Sequence, residues 1–150
     1  MSNDYDSRLC IIGPKKSIAA IKIAADNRDD RSELFSEYIP YYSESWNSDT
    51  TNSSKINETT ICWEIDFIGY GRFNVDKMFK SISSSYPDLV FRLDSAHEDF
   101  GNYIEGKSFP PTKKTLFEFT YTFIYFRGEA IDIHKGSDYW MDRYADIVSD

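Results

Sequence analysis

The chain is poor in the residues from which most reaction chemistry is built. It holds two cysteines, two histidines and seven glycines in 150 residues. With so little imidazole, acid–base work at neutral pH would fall mainly to carboxylates, and none is singled out by its neighbours. Cys10 and Cys62 stand in separate strand-like stretches without C-x-x-C spacing. They read as reduced, buried thiols of a cytoplasmic protein and not as a disulfide framework. Gly69-Tyr70-Gly71 lacks a third glycine, a Rossmann context and the Lys-Ser/Thr of a phosphate-binding loop, so it reads as a turn. No apolar run approaches the ~20 residues of a membrane span, and Met1-Ser2-Asn3-Asp4 has no signal-peptide pattern. Basic residues are short as well: 17 Lys and Arg face 25 Asp and Glu, for a formal charge of −8. Holding a phosphate backbone needs clustered Lys and Arg to displace counterions. Arg28, Arg31, Lys113 and Lys114 are instead isolated beside acids or prolines. The expectation is therefore no direct nucleic acid, no membrane and no cofactor. A host or cognate protein with a basic surface is the natural partner.

Aromatic residues are what the chain has in plenty, at 17%. That content argues for a real core, and the length fits a single domain over residues 1–150 that buries roughly two-thirds of its unfolded surface. Ser7 to Ile12 reads as a strand that Gly13-Pro14 turns into a helix with Ile18, Ile21 and Ala25 on one side. Residues 27–57 are rich in Asp, Ser, Asn and Tyr without sustained periodicity, and read as a long loop, most mobile over Ser48 to Ser54. Ile61 to Phe67 alternates as a strand. Asn74 to Tyr86 carries Val75, Met78, Phe79 and Ile82 as a helical stripe, and Pro87-Asp88 stops it. Leu89, Phe91 and Leu93 face one way along the next strand, with Val90, Arg92 and Asp94 opposite. Thr115 to Phe126 reads as the strongest strand, with Phe117, Phe119, Tyr121, Phe123 and Tyr125 on one side. Ala130 to His134 adds another strand, and Ser137 or Asp138 caps a terminal helix containing Trp140 and Tyr144.

This order predicts an α+β protein: a ferredoxin-like antiparallel sheet with two helices on one face, plus a C-terminal helix. Several short motifs also carry a resemblance. Arg8 to Pro14, Trp46-Asn47, Tyr86-Pro87-Asp88-Leu89 and the stretch from Phe100-Gly101 to Gly106, in that order, resemble the YubB-like ferredoxin-like domain family of conjugative plasmids and bacteriophages. Together they span roughly Arg8 to Gly106. The chain departs from the family where Asp4-Tyr5 replaces a Trp-Cys pair, where a longer tryptophan loop is reduced to Trp46, and where Gly69-Tyr70-Gly71-Arg72 replaces Trp-Ser-Pro-Pro. The resemblance implies a fold and a mobile-element origin, and brings no reaction with it.

Tyr and Trp concentrate binding energy at interfaces because each buries a large area and keeps a polar handle. Tyr41, Tyr42, Trp46, Tyr70 and Tyr103, with the acidic Asp94, Glu98 and Asp99, are accordingly the expected partner-binding residues. The function expected is that of a non-enzymatic phage or plasmid accessory protein. It would bind and inhibit a host protein, such as a CRISPR–Cas or restriction complex, whose nucleic-acid channel is basic. An immunity protein that neutralises a cognate toxin is the alternative, and exposed aromatics also admit a homodimer. A third reading is a metal-dependent enzyme using Asp94, His97, Glu98 and Asp99, or Asp132 and His134 on one face of a strand. No metal ligand set is assigned from the sequence.

Overall fold

The computed structural model describes residues 4–26, 51–70, 72–97 and 112–145, with side chains for 7–24, 56–65, 76–97 and 112–145. Its organising element is β1 (Asp4–Pro14). β1 pairs antiparallel with β3 (Thr60–Tyr70) on one side and β4 (Val90–His97) on the other. β2 (Thr51–Lys55) extends the sheet beyond β3, while β5 (Thr120–Phe126) and β6 (Glu129–Lys135) extend it beyond β4. The resulting order is β2-β3-β1-β4-β5-β6, antiparallel throughout. The protein is thus α+β.

The register explains why these sequences choose one another. Leu9 lies opposite Ile65 and Leu93, and Leu93 opposite Phe123. Two residues along, Ile11 lies opposite Trp63 and Phe91, and Phe91 opposite Tyr125. Two apolar rows therefore run across four strands on the same side of the sheet. A one-residue slip in any strand would throw its row onto the other face, so the alternation fixes the pairing.

Two helices cover those rows. α1 (Lys15–Asp26) brings Ile18 and Ile21, and α2 (Arg72–Ser85) brings Met78, Phe79 and Ile82 into one buried cluster with the strands. Phe79 stacks on Tyr125 at 5.5 Å between ring centres and meets Phe91 at 6.1 Å. Tyr125 donates its hydroxyl proton to Asp76 Oδ1 at 2.8 Å, so its one polar atom is satisfied inside the packing. Ser83 Oγ accepts the Gly128 N–H at 3.0 Å and ties α2 to the β5–β6 hairpin. That hairpin turns through Arg127 (φ 53°) and Gly128 (φ 82°), the positive-φ pair that a tight two-residue turn demands. At Gly13 a Cβ would stand 2.5 Å from Leu89 Cδ2 and 2.9 Å from the Asp88 carbonyl oxygen. Only glycine lets β1 pass the junction where Pro87-Asp88 separates α2 from β4.

Two short helices, α3 (Lys113–Glu118) and α4 (Asp138–Arg143), complete the described elements. α3 overturns the expectation of a strand from Thr115. Thr112 acts as an N-cap: its Oγ1 accepts the Thr115 N–H at 3.1 Å, and Leu116 N–H reaches Thr112 O at 3.0 Å. The alternation of Phe117 and Phe119 is thereby overridden. Phe117 is 46% exposed and Phe119 closes the helix, and the strand begins only at Thr120. Thr51–Lys55 is likewise a paired strand where a mobile loop is expected. As an edge strand of Thr, Asn, Ser and Lys it has no apolar alternation to announce it. Gly69 and Tyr70 continue β3 and do not turn, with Tyr70 paired to Asp4.

Candidate functional site

Period two places Arg8, Cys10 and Ile12 of β1, Cys62 and Glu64 of β3, Val90, Arg92 and Asp94 of β4, and Thr120 and Thr122 of β5 on the face opposite the apolar rows. This face is polar, and its side chains fall into two groups.

The first is centred on Asp94, whose side chain is fully buried. Ser137 donates its hydroxyl proton to Asp94 Oδ1 at 2.8 Å, and Arg92 Nε donates to Oδ2 at 3.0 Å. Thr122 Oγ1 lies 3.1 Å from the same Oδ1 and 3.0 Å from the Gly136 carbonyl oxygen, so its one proton is shared between two acceptors. Trp140 caps the cluster by donating Nε1–H to the Asp94 carbonyl at 2.9 Å, and stacks on Tyr144 at 5.6 Å. Thr120 links the same elements: its hydroxyl donates to Leu116 O at 2.7 Å and accepts the Ser137 N–H at 3.0 Å. A buried carboxylate is tolerated only when paired and hydrogen-bonded, as this one is. Asp94 therefore joins α4 to the sheet, and Thr120 joins α3 to it.

That placement corrects the reading of Asp94 as an exposed partner-binding acid. It is 0% exposed in the middle of a paired strand and offers nothing to a partner. Nor does Asp94 converge with His97, which lies on the other side of β4 by strand alternation and packs on Phe119 at 6.0 Å. The acid–imidazole group expected of residues 94–99 is accordingly not assembled by these two residues. Trp140 is buried packing as well, at 8% exposure. Tyr41, Tyr42, Trp46, Glu98, Asp99 and Tyr103 lie outside the described residues, as does the side chain of Tyr70. Asp132 and His134 do share a face of β6, with Nε2 and Oδ2 3.5 Å apart, and both are about half exposed. No third ligand joins them among the described residues, where one group of three metal-capable side chains occurs and lies elsewhere.

That group is the second cluster of the polar face. The ligand atoms of Cys10, Cys62 and Glu64 all lie within 4.8 Å of one another. Cys10 pairs in register with Glu64, and Cys62 is its diagonal neighbour across β1 and β3. Arg8 Nη2 is 2.6 Å from Glu64 Oε1, and its guanidinium lies 4.3 Å over the Tyr139 ring. Hydrogen bonding with the neighbouring Cys62, then burial, pushes the Cys10 thiol above its ordinary value, while the same interaction with Cys10 draws Cys62 below its own. Sequence reasoning missed this cluster. Its only signal is that Cys62 and Glu64 share the parity of one strand and Cys10 that of another, and the register that unites them is not written in either segment.

Between α3 and α4 a hollow of about 210 Å³ is lined by Lys113, Leu116, Met141, Asp142 and Ala145, below the usual size of a small-molecule pocket. No helix among the described residues is long and apolar enough to cross a membrane. No family model, curated protein or solved structure matches the chain.

Proposed function

We propose that the chain is a non-enzymatic binding protein whose acidic segments engage a basic surface of another protein. The distribution of charge carries this reading. Eleven acids (Asp29, Asp30, Glu33, Glu37, Glu44, Asp49, Glu98, Asp99, Glu105, Asp146 and Asp150) and three bases (Arg28, Arg31 and Lys107) lie in residues 27–50, 98–111 and 146–150. The other fourteen acids are matched by fourteen bases, so those three stretches account for the whole charge of −8. They also hold Tyr41, Tyr42, Trp46 and Tyr103. Concentrated charge of one sign steers encounter with the opposite sign, and interleaved Tyr and Trp supply the anchoring area.

The architecture is read in the same proposal as a ferredoxin-like unit, supported by the order β2-β3-β1-β4 with α1 and α2 between its strands, and extended by β5 and β6. The motif resemblance supports a phage or plasmid accessory protein. A host defence complex with a basic nucleic-acid channel, of CRISPR–Cas or restriction type, is the target class that fits the charge.

Affinity capture from bacterial lysate at low and high salt, followed by mass spectrometry, tests the reading. The expected outcome is a basic protein retained at low salt and released at high salt. Retention of the same proteins by a variant with its acids at 98 and 99 reversed (Glu98→Lys, Asp99→Lys) would remove residues 98–99 from the interface, and no salt-sensitive partner at all would remove the proposal.

A further inference from the structure

We infer that Cys10, Cys62 and Glu64 form a binding site for a soft divalent cation of the zinc and cadmium class, on the polar face of the sheet. Thiolate sulfur selects such ions over magnesium or calcium, and a carboxylate is a common companion ligand. The three ligand atoms lie within 4.8 Å of one another. Tetrahedral zinc at ~2.3 Å from sulfur sets ligand atoms about 3.8 Å apart, so the strands need only small side-chain adjustments to close around an ion.

Both sulfurs are buried, at 5% and 7% exposure, whereas the Glu64 side chain is 29% exposed. The cluster is thus walled by the sheet and opens toward solvent at the carboxylate, where a water would complete four-coordination. Charge closes as well. Two thiolates and a carboxylate carry three negative charges, which a divalent cation and the Arg8 guanidinium beside Glu64 together neutralise. Arg8 is held in place by the Tyr139 ring at 4.3 Å, so it stands as a fixed counter-charge next to the ligands. β1 and β3 are neighbours along their full length, which makes the spacing of the ligands a property of rigid strands.

The test is titration of the full chain, purified without an affinity tag and kept reduced, with cadmium and then zinc. Cadmium should bind one ion per chain and raise the ultraviolet charge-transfer band of cadmium–thiolate bonds, and zinc should displace it. Cys10→Ser and Cys62→Ser should each abolish the band or weaken binding by more than about tenfold. Glu64→Gln, which leaves both sulfurs in place, should keep the band and weaken binding by about tenfold. Should a cysteine variant fail to fold by circular dichroism, the Glu64→Gln comparison still decides. Binding without the band, or equal affinity in the wild type and Glu64→Gln, would overturn the site.

Discussion

The paired framework and the acidic stretches divide the chain in two ways at once. The framework carries fourteen acids and fourteen bases, and its stability comes from the apolar rows Ile65–Leu9–Leu93–Phe123 and Trp63–Ile11–Phe91–Tyr125. Residues 27–50, 98–111 and 146–150 carry the net charge of the whole protein. The net charge therefore lies in the sequence outside the described residues that build the apolar rows. A sheet packed this closely gains nothing from unpaired charge, which costs desolvation without repayment.

The separation can be broken in order of expected effect. Phe91→Ala or Phe79→Ala should lower stability by about 3–5 kcal/mol in urea unfolding, since each removes a fully buried ring from the cluster under α1 and α2. Phe119→Ala, at a helix end with its ring only partly buried, should cost well under half of that. Asp94→Ala is the sharper test on the polar face. It takes the acceptor from the buried hydroxyl of Ser137 and the ion pair from Arg92, and should cost about 3 kcal/mol although it removes no apolar surface. A loss below ~1 kcal/mol would mean that the junction of α4 with the sheet does not depend on the carboxylate. Asp94→Lys, at the same buried position, should not fold.

Tyr125→Phe should cost about 1 kcal/mol through the lost bond to Asp76. Burial, then that bond, raises the phenol's pKa in the folded protein. The unfolded chain therefore releases this proton first, near pH 10. Stability from Tyr125 is complete below that pH and falls above it, by about 1.4 kcal/mol per unit. The phenylalanine variant should flatten the alkaline limb by that slope, and an unchanged limb would place the phenol in water. At the small end, Asp132→Ala should change stability by less than ~1 kcal/mol, because its pair with His134 is exposed.

How much of this was legible in the sequence depends on what each segment had to announce. The rows of β1, β3 and β4 and the stripe Met78, Phe79 and Ile82 are periodic in the chain itself, so those elements and their buried faces could be read directly. β2 could not, because Thr51–Lys55 is polar on both sides and is a strand only by virtue of its neighbour β3. α3 was hidden by aromatics that alternate as a strand does, while the decisive group, the Thr112 hydroxyl, lies just ahead of them. Asp94 reads as the first acid of an acidic run, and only the Trp140 and Ser137 contacts, more than forty residues away, bury it. The Cys10, Cys62 and Glu64 cluster depends on a pairing between segments some fifty residues apart. Local pattern reveals faces, and register reveals what meets on them.

The most direct measurement of the division between framework and acidic stretches compares two variants against the partner eluted by salt. In one, the carboxylates of 27–50 and 98–111 become amides; in the other, the exposed framework acids Glu118, Glu129, Asp132 and Asp142 do. The account predicts that the first variant keeps its unfolding midpoint, loses at least about tenfold in affinity and loses most of its salt dependence, while the second binds within about twofold of the wild type. Weakened binding by the second variant, with the first unchanged, would contradict it and place recognition on the folded framework.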